Sequence, residues 1–200
     1  VADGIDMILR PMVTRLSLGG IPCGAARVRR RSAEARGLLD RCAAACGAPS
    51  GNWPQDADGR PLVRAGWHWS LAHRGHYAAA VVAEQPVGID VEVSRPRPDE
   101  AFDETGSATE WAVLGGRAPG AFFRLWTAKE AVLKLRGVGM AGWDRCRVKS
   151  ALSPSRLVVM FDDIEYDVDQ LFVRDAVAAL AFEAGAGATV EWVTVEAAQA

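Results

Sequence analysis

Seven consecutive residues from Tyr77 to Ala83, YAAAVVA, offer no polar side to water. A strand with one wet face alternates apolar and polar residues. This run therefore predicts a strand buried on both faces, in a fold with a layer on each side of a sheet. The chain can supply those layers: half of its 200 residues are apolar, enough for one compact domain or two small halves sharing an interface. Glu84-Gln85-Pro86 reads as a short turn into a further strand over 87–93, so that the two strands form a hairpin, and 68–70 reads as a strand just upstream.

Helical periodicity frames this β material. Over 27–46 the apolar positions Leu38, Leu39, Cys42, Ala43 and Cys46 recur at three and four residues, predicting a helix whose first half carries Arg27, Arg29, Arg30, Arg31 and Arg36. Gly47 and Pro49 end it, and the Gly-, Pro- and Asp-rich stretch 47–61 is a connection. Ser107-Ala-Thr-Glu110 has the form of a capping box opening a second helix, interrupted by Gly115, Gly116, Pro119 and Gly120. The run 122–136, FFRLWTAKEAVLKLR, contains no helix breaker and sets Phe122, Trp126 and Leu133 on an apolar stripe, ended by Gly137 and Gly139. The remainder reads as short strands.

Composition narrows the function classes. A formal net charge of −2 gives no global basic field, which disfavours a nucleic-acid binder or a polybasic membrane anchor, so any basic function must be local. No stretch approaches the roughly 18 apolar residues of a membrane span, and the first twenty residues lack a signal-type run, so a cytoplasmic protein is expected. Of Cys23, Cys42, Cys46 and Cys146 only the middle two are close, and no nearby His completes a zinc set, so reduced thiols are expected.

Two short segments carry chemistry. In Gly88-Ile89-Asp90-Val91-Glu92, strand alternation points Asp90 and Glu92 to one face and Ile89 and Val91 to the other. In Trp126-Thr-Ala-Lys-Glu130-Ala-Val-Leu-Lys134, Glu130 and Lys134 stand one helical turn apart on a common face. If the helix packs on the strand, Asp90, Glu92 and Glu130 form a hard oxygen set suited to Mg²⁺, which takes few protein ligands and leaves positions for phosphate oxygens. Singly, the first segment also fits a solvated strand edge and the second a surface ion pair. Gly4-Ile5-Asp6 repeats the first tripeptide with no acid two positions on.

Together, in this order, the two segments closely resemble the signature of the Sfp-type 4′-phosphopantetheinyl transferases. Gly59-Arg60-Pro61, Trp69-Ser70-Leu71-Ala72-His73, Thr109-Glu110-Trp111, Gly137-Val138-Gly139 and Ala35-Arg36-Gly37-Leu38-Leu39 extend the resemblance over about 27–183. It implies an α+β fold of two similar halves related by pseudo-two-fold symmetry, each a small sheet packed with a long helix. The halves would be 1–85, contacting the phosphoadenosine of coenzyme A, and 86–200, holding metal and catalytic residues. It implies that Asp90, Glu92 and Glu130 hold Mg²⁺, with Glu130 also where the family's base sits. Lys134 would contact the pyrophosphate, His73 the 3′-phosphate side, and Arg36 and Arg60 the phosphoadenosine end. The implied reaction transfers the 4′-phosphopantetheine arm of coenzyme A to a serine of an apo acyl or peptidyl carrier protein, releasing 3′,5′-ADP, with the enzyme a monomer. Ala72 departs from the family pattern, which usually offers a serine hydroxyl beside the histidine; Arg74 is expected to substitute for it. Carrier docking is expected on exposed apolar residues of 101–122, such as Phe102 and Leu114. A non-catalytic coenzyme A- or carrier-binding module and a phosphotransferase acting on another pyrophosphate are the alternative functions.

Overall fold

The computed structural model describes residues 7–18 and 24–196. Cys23 and the Gly4-Ile5-Asp6 repeat lie outside them. The strands are β1 (Met7–Leu9), β2 (Met12–Arg15), β3 (His68–Arg74), β4 (Tyr77–Ala83), β5 (Gly88–Val93), β6 (Cys146–Ser153), β7 (Arg156–Phe161), β8 (Ile164–Val173), β9 (Ala176–Glu183), β10 (Ala188–Val190) and β11 (Val193–Val195). The helices are α1 (Ala25–Cys46), α2 (Asp99–Thr105), α3 (Ala108–Val113) and α4 (Pro119–Arg136), followed by a 3₁₀ turn over Gly139–Arg145. The architecture is α+β. One sheet runs β11-β2-β4-β3, a second runs β5-β9-β8-β7-β6, and β1 pairs with β10. β10 and β11 thus return the chain's end to the strands of its beginning, in parallel.

Three apolar clusters define the layers. Leu38, Leu39, Cys42 and Ala43 of α1 pack on Ala78, Ala80 and Val82 of β4. The alternate β4 residues, Tyr77, Ala79, Val81 and Ala83, meet Ile89 and Val91 of β5 and Ala178, Leu180 and Phe182 of β9. The far face of the second sheet, with Val177, Ala179 and Ala181, carries α4 through Leu125, Ala128, Val132 and Leu133. The order is helix, sheet, sheet, helix, and every β4 residue is buried because that strand lies between two layers.

The expected hairpin between β4 and β5 does not form. β4 pairs with β2 and β3, and β5 pairs with β9. Residues 84–87 are a corner through which the chain leaves one sheet and enters the other. Proline 86 fits this, since it cannot donate to a ladder. The edge strands β3 and β5 nonetheless meet: the buried Ser70 hydroxyl accepts the Ile89 amide at 3.0 Å. β3 also runs four residues beyond the expected 68–70, to Arg74.

Helix ends follow their local chemistry. Pro119 occupies the first turn of α4, where its missing N–H is no loss. Gly137 closes that helix in the left-handed conformation (φ 65°), its N–H bonded to Lys134 and that of Val138 to Leu133. The Ser107/Glu110 capping box opens α3 as the sequence predicts. Cys42, Cys46 and Cys146 are free thiols, and burial pushes Cys42 and Cys146 up to about 12. Among the described residues no helix is long and apolar enough to cross a membrane.

Candidate active site

Gly88 sets the geometry of the carboxylates. A Cβ at this position would lie 2.0 Å from the Ala131 carbonyl oxygen and 2.6 Å from the Leu135 nitrogen, so only glycine lets the backbone of α4 rest on β5. Strand alternation then does what the sequence implies. Ile89 and Val91 enter the core between the sheets, and Asp90 and Glu92 share the opposite side with Gly88, toward α4. Lys134, on α4, reaches Asp90 with Nζ 2.7 Å from Oδ1. Asp90 is buried, and its Oδ2 has no hydrogen-bond partner.

Glu130, one turn before Lys134, is half-buried in the same field. Burial pushes its carboxyl above the usual range, with the charges of Asp90 and Glu92 adding and Lys134 opposing. Burial also raises Glu92, against the opposing charge of Arg74, whose Nε is 3.2 Å from Glu92 Oε2. The structure thus couples Asp90, Glu92, Glu130 and Lys134, with two of the three carboxylates held in ion pairs. Among the described residues no three His, Cys, Asp or Glu groups converge closely enough to hold a metal ion. Arg74, expected to replace the hydroxyl absent at Ala72, is engaged with Glu92.

Beside these carboxylates lies a cleft of about 900 Å³, bounded by α1, the 52–61 loop, β3 and the end of α4. Arg36, Arg60, His73 and Lys134 all line it; Asp90, Glu92 and Glu130 do not. Arg36 and Arg60 are exposed, and Arg60 is steered by the loop: its amide donates to Asp56 and its guanidinium lies 3.4 Å from Asp58. Burial lowers the His73 pKa; a backbone hydrogen bond opposes this, and the cations Arg31 and Lys134 add to it. Ala72 is buried in the cleft wall, and the nearby Ser70 hydroxyl serves Ile89.

Three features escaped the sequence reading. Lys129, inside the WTAKEAVLK segment, is fully buried and pairs with Glu110 at 2.8 Å. It also donates to the Thr105 carbonyl at 3.2 Å and faces the Trp143 ring at 5.0 Å. Glu110 in turn accepts the Ser107 and Val148 amides, and although burial raises its pKa, Lys129 and these amides outweigh burial and hold it below the usual range. The signal was a lysine on the apolar stripe of α4, spaced from Leu125, Val132 and Leu133 as a core residue would be. The cleft has an aromatic wall, Trp53 and Trp69 at 5.7 Å between centroids, with Asp40 accepting the Trp53 indole N–H at 2.9 Å. The third is Phe102, expected to be an exposed docking residue. It is buried against Trp111 and Phe122 and cannot present itself to a partner, because α2 folds its apolar side onto α4. Leu114 is partly buried against the same core.

Residues 86–181 match the 4′-phosphopantetheinyl transferase superfamily model. The matched segment contains Asp90, Glu92, Glu130 and Lys134, and bears out the resemblance drawn from GIDVE and WTAKEAVLK. Among curated proteins, the 4′-phosphopantetheinyl transferase psf-1 of Bacillus pumilus is 35% identical over 92 residues, 43% of this chain and 40% of that protein. The 4′-phosphopantetheinyl transferase AcpT of Salmonella typhi is 38% identical over 111 residues, 50% and 56% respectively. The 4′-phosphopantetheinyl transferase Sfp of Bacillus subtilis is 30% identical over 78 residues, 37% and 35%. The matches therefore span about half, or less, of these relatives' lengths.

Proposed function

We propose that this chain transfers the 4′-phosphopantetheine arm of coenzyme A to a serine hydroxyl of an acyl or peptidyl carrier protein. The observation that carries this reading is the double position of Lys134, which lines the cleft and touches Asp90. One residue thereby joins a cleft bearing Arg36, Arg60 and His73 to a set of acidic side chains. The pyrophosphate of coenzyme A would lie at that junction, with the 3′-phosphate toward His73 and the two arginines, through charge-assisted contacts. The first 85 residues then supply the phosphoadenosine contacts and the remainder the acidic residues. The catalyst acts as a monomer.

The acidic residues suit Mg²⁺ in donor type, since all three offer hard oxygens, and the buried, unpartnered Oδ2 of Asp90 is an acceptor waiting for a cation. Asp90, Glu92 and Glu130 would hold it once side-chain rotation draws their oxygens together and frees the first two from Lys134 and Arg74. When bound, Mg²⁺ supplies positive charge to the pyrophosphate as the leaving group departs. The chain's residues do the rest. Glu130, which stands beside Lys134 on the same helix face, accepts the serine proton directly or through water. The serine oxygen forms a bond to the β-phosphorus while the bond to the 3′,5′-ADP oxygen breaks. Lys134 balances the charge that develops on the phosphate oxygens, so catalysis rests on positioning and charge stabilisation.

Intact-mass measurement of several apo carrier proteins incubated with this protein, coenzyme A and Mg²⁺ tests the proposal. A gain of one phosphopantetheine is expected on at least one carrier. No gain on any sinks it. A second reading, a coenzyme A- or carrier-binding module without catalysis, draws on the ion pairs Lys134–Asp90 and Arg74–Glu92, which occupy two of the carboxylates. It predicts coenzyme A binding with no mass gain.

A further inference from the structure

At one end of the molecule four chain segments converge. They are the end of β2 with Arg15, the β3–β4 turn with Arg74 and His76, the residues after β5 with Arg95, and the β8–β9 turn with Asp175. The contacts between them are close. The Ser94 amide donates to the Asp175 carbonyl at 2.6 Å, the Leu16 amide donates to the His76 carbonyl at 2.7 Å, and a Cβ on Gly75 would come within 3.1 Å of Val93. Together they enclose a recess of about 240 Å³, separate from the coenzyme cleft.

The chemistry of the recess is one-sided. Three guanidinium groups and an imidazole line it, against a single carboxylate, Asp175, and that carboxylate already accepts the Tyr77 hydroxyl at 2.6 Å. Among the described residues Arg74 is ion-paired to Glu92 at 3.2 Å, while Arg15 and Arg95 are in no salt bridge. On a chain of net charge −2 this is a local concentration of positive charge. At 240 Å³ the recess falls below the roughly 300 Å³ at which small-molecule pockets begin, but it admits acidic side chains from another protein. Arg74 also fixes its location: the residue lines the recess while its Nε pairs with Glu92, two residues from Asp90.

We infer that Arg15, Arg74 and Arg95 form a docking point for clustered carboxylates on the protein substrate. The inference rests on the proposed transfer reaction, in which the protein carrying the acceptor serine must approach these carboxylates. It replaces the apolar docking expected on Phe102, which is buried. The anchoring is electrostatic, so it acts on the association rate and fades with salt.

The test is binding of a fluorescently labelled apo carrier protein, without coenzyme A, to the intact chain and to Arg15→Glu/Arg95→Glu. Coenzyme A affinity and thermal stability are measured alongside, and Arg15→Gln/Arg95→Gln serves as a second variant should the reversal disturb folding. The expected result is a carrier Kd raised about tenfold or more by the reversal and less by the neutral pair, with coenzyme A affinity unchanged. Salt should weaken the wild type steeply and the reversed variant little. Equal carrier affinity in wild type and variants, or wild-type affinity indifferent to salt, overturns the inference. So does inorganic phosphate binding at the recess while carrier affinity stays unchanged in the variants. Mass analysis of the same samples keeps the two proposals apart: transfer with no sensitivity to charge reversal removes the docking point alone, and charge-sensitive binding without transfer removes the enzyme reading alone.

Discussion

Replacing Lys129 by Met removes one charge from the core while keeping a stem of similar length. Lys129 and Glu110 are 1% and 3% exposed, and their atoms lie 2.8 Å apart. Breaking a buried ion pair by deleting one partner typically costs about 3–5 kcal/mol, because the other charge remains desolvated. Here Glu110 keeps the Ser107 and Val148 amides and the Ser107 hydroxyl, which places the expected loss near the lower end, about 3 kcal/mol. That is a large share of a typical stability of about 5–15 kcal/mol. For a chain of this size each kcal/mol moves Tm by about 2–4 °C, so a fall of roughly 6–12 °C is expected at pH 7. The assay is thermal and urea unfolding of both proteins at pH 7 and at pH 4. Glu110 has a folded pKa held below its usual value, so the pair's contribution is present above the unfolded carboxylate pKa of about 4.3 and is lost as pH falls through the folded value. The gap between wild type and variant must therefore narrow on acidification. Adding Glu110→Gln should recover part of the loss at neutral pH by removing the stranded charge. A Tm change under about 2 °C, a gap independent of pH, or a double variant less stable than Lys129→Met would refute the reasoning.

Gly88→Ala should force α4 off β5, since its Cβ would sit 2.0 Å from the Ala131 oxygen; a stability loss of about 3 kcal/mol is expected by urea unfolding, with transfer abolished. A well-folded, active Gly88→Ala protein would show that the close approach is unnecessary. Glu130→Gln should lower kcat at least about a hundredfold at saturating Mg²⁺ with coenzyme A affinity kept, whereas recovery on adding more metal would reduce Glu130 to a ligand. Chelation with EDTA should abolish transfer in the wild type, and full-rate transfer afterwards would remove the metal assignment. Burial and its cationic neighbours lower the pKa of free His73, and a bound phosphate would favour its charged form. Coenzyme A affinity measured by calorimetry should therefore rise from pH 8 to pH 5.5 in the wild type and less so in His73→Ala, and identical pH profiles would place the phosphate elsewhere.

What the sequence determined by itself is local in origin. Alternation in GIDVE places Asp90 opposite Ile89 and Val91, helical spacing aligns Glu130 with Lys134, and the capping box starts α3, because each depends on the periodicity of a single element. The apolar run 77–83 announced a strand covered on both sides for the same reason. Tertiary structure decided which neighbours those elements received. Whether β4 turns back on itself or hands the chain to another sheet depends on which strands compete for its edges, and β2 and β3 took both, leaving β5 for β9. Phe102 reads locally as an exposed docking residue, and the motif reading did not single out Lys129. Packing of α2 and α3 onto α4 buried both, giving the first two aromatic partners and the second a carboxylate 19 residues away in the chain. The recess of Arg15, Arg74 and Arg95 has no local signature at all. Its charges come from turns far apart in sequence, and only the stacking of the two sheets sets them around one point, where Coulomb interactions depend on distance in space and not along the chain.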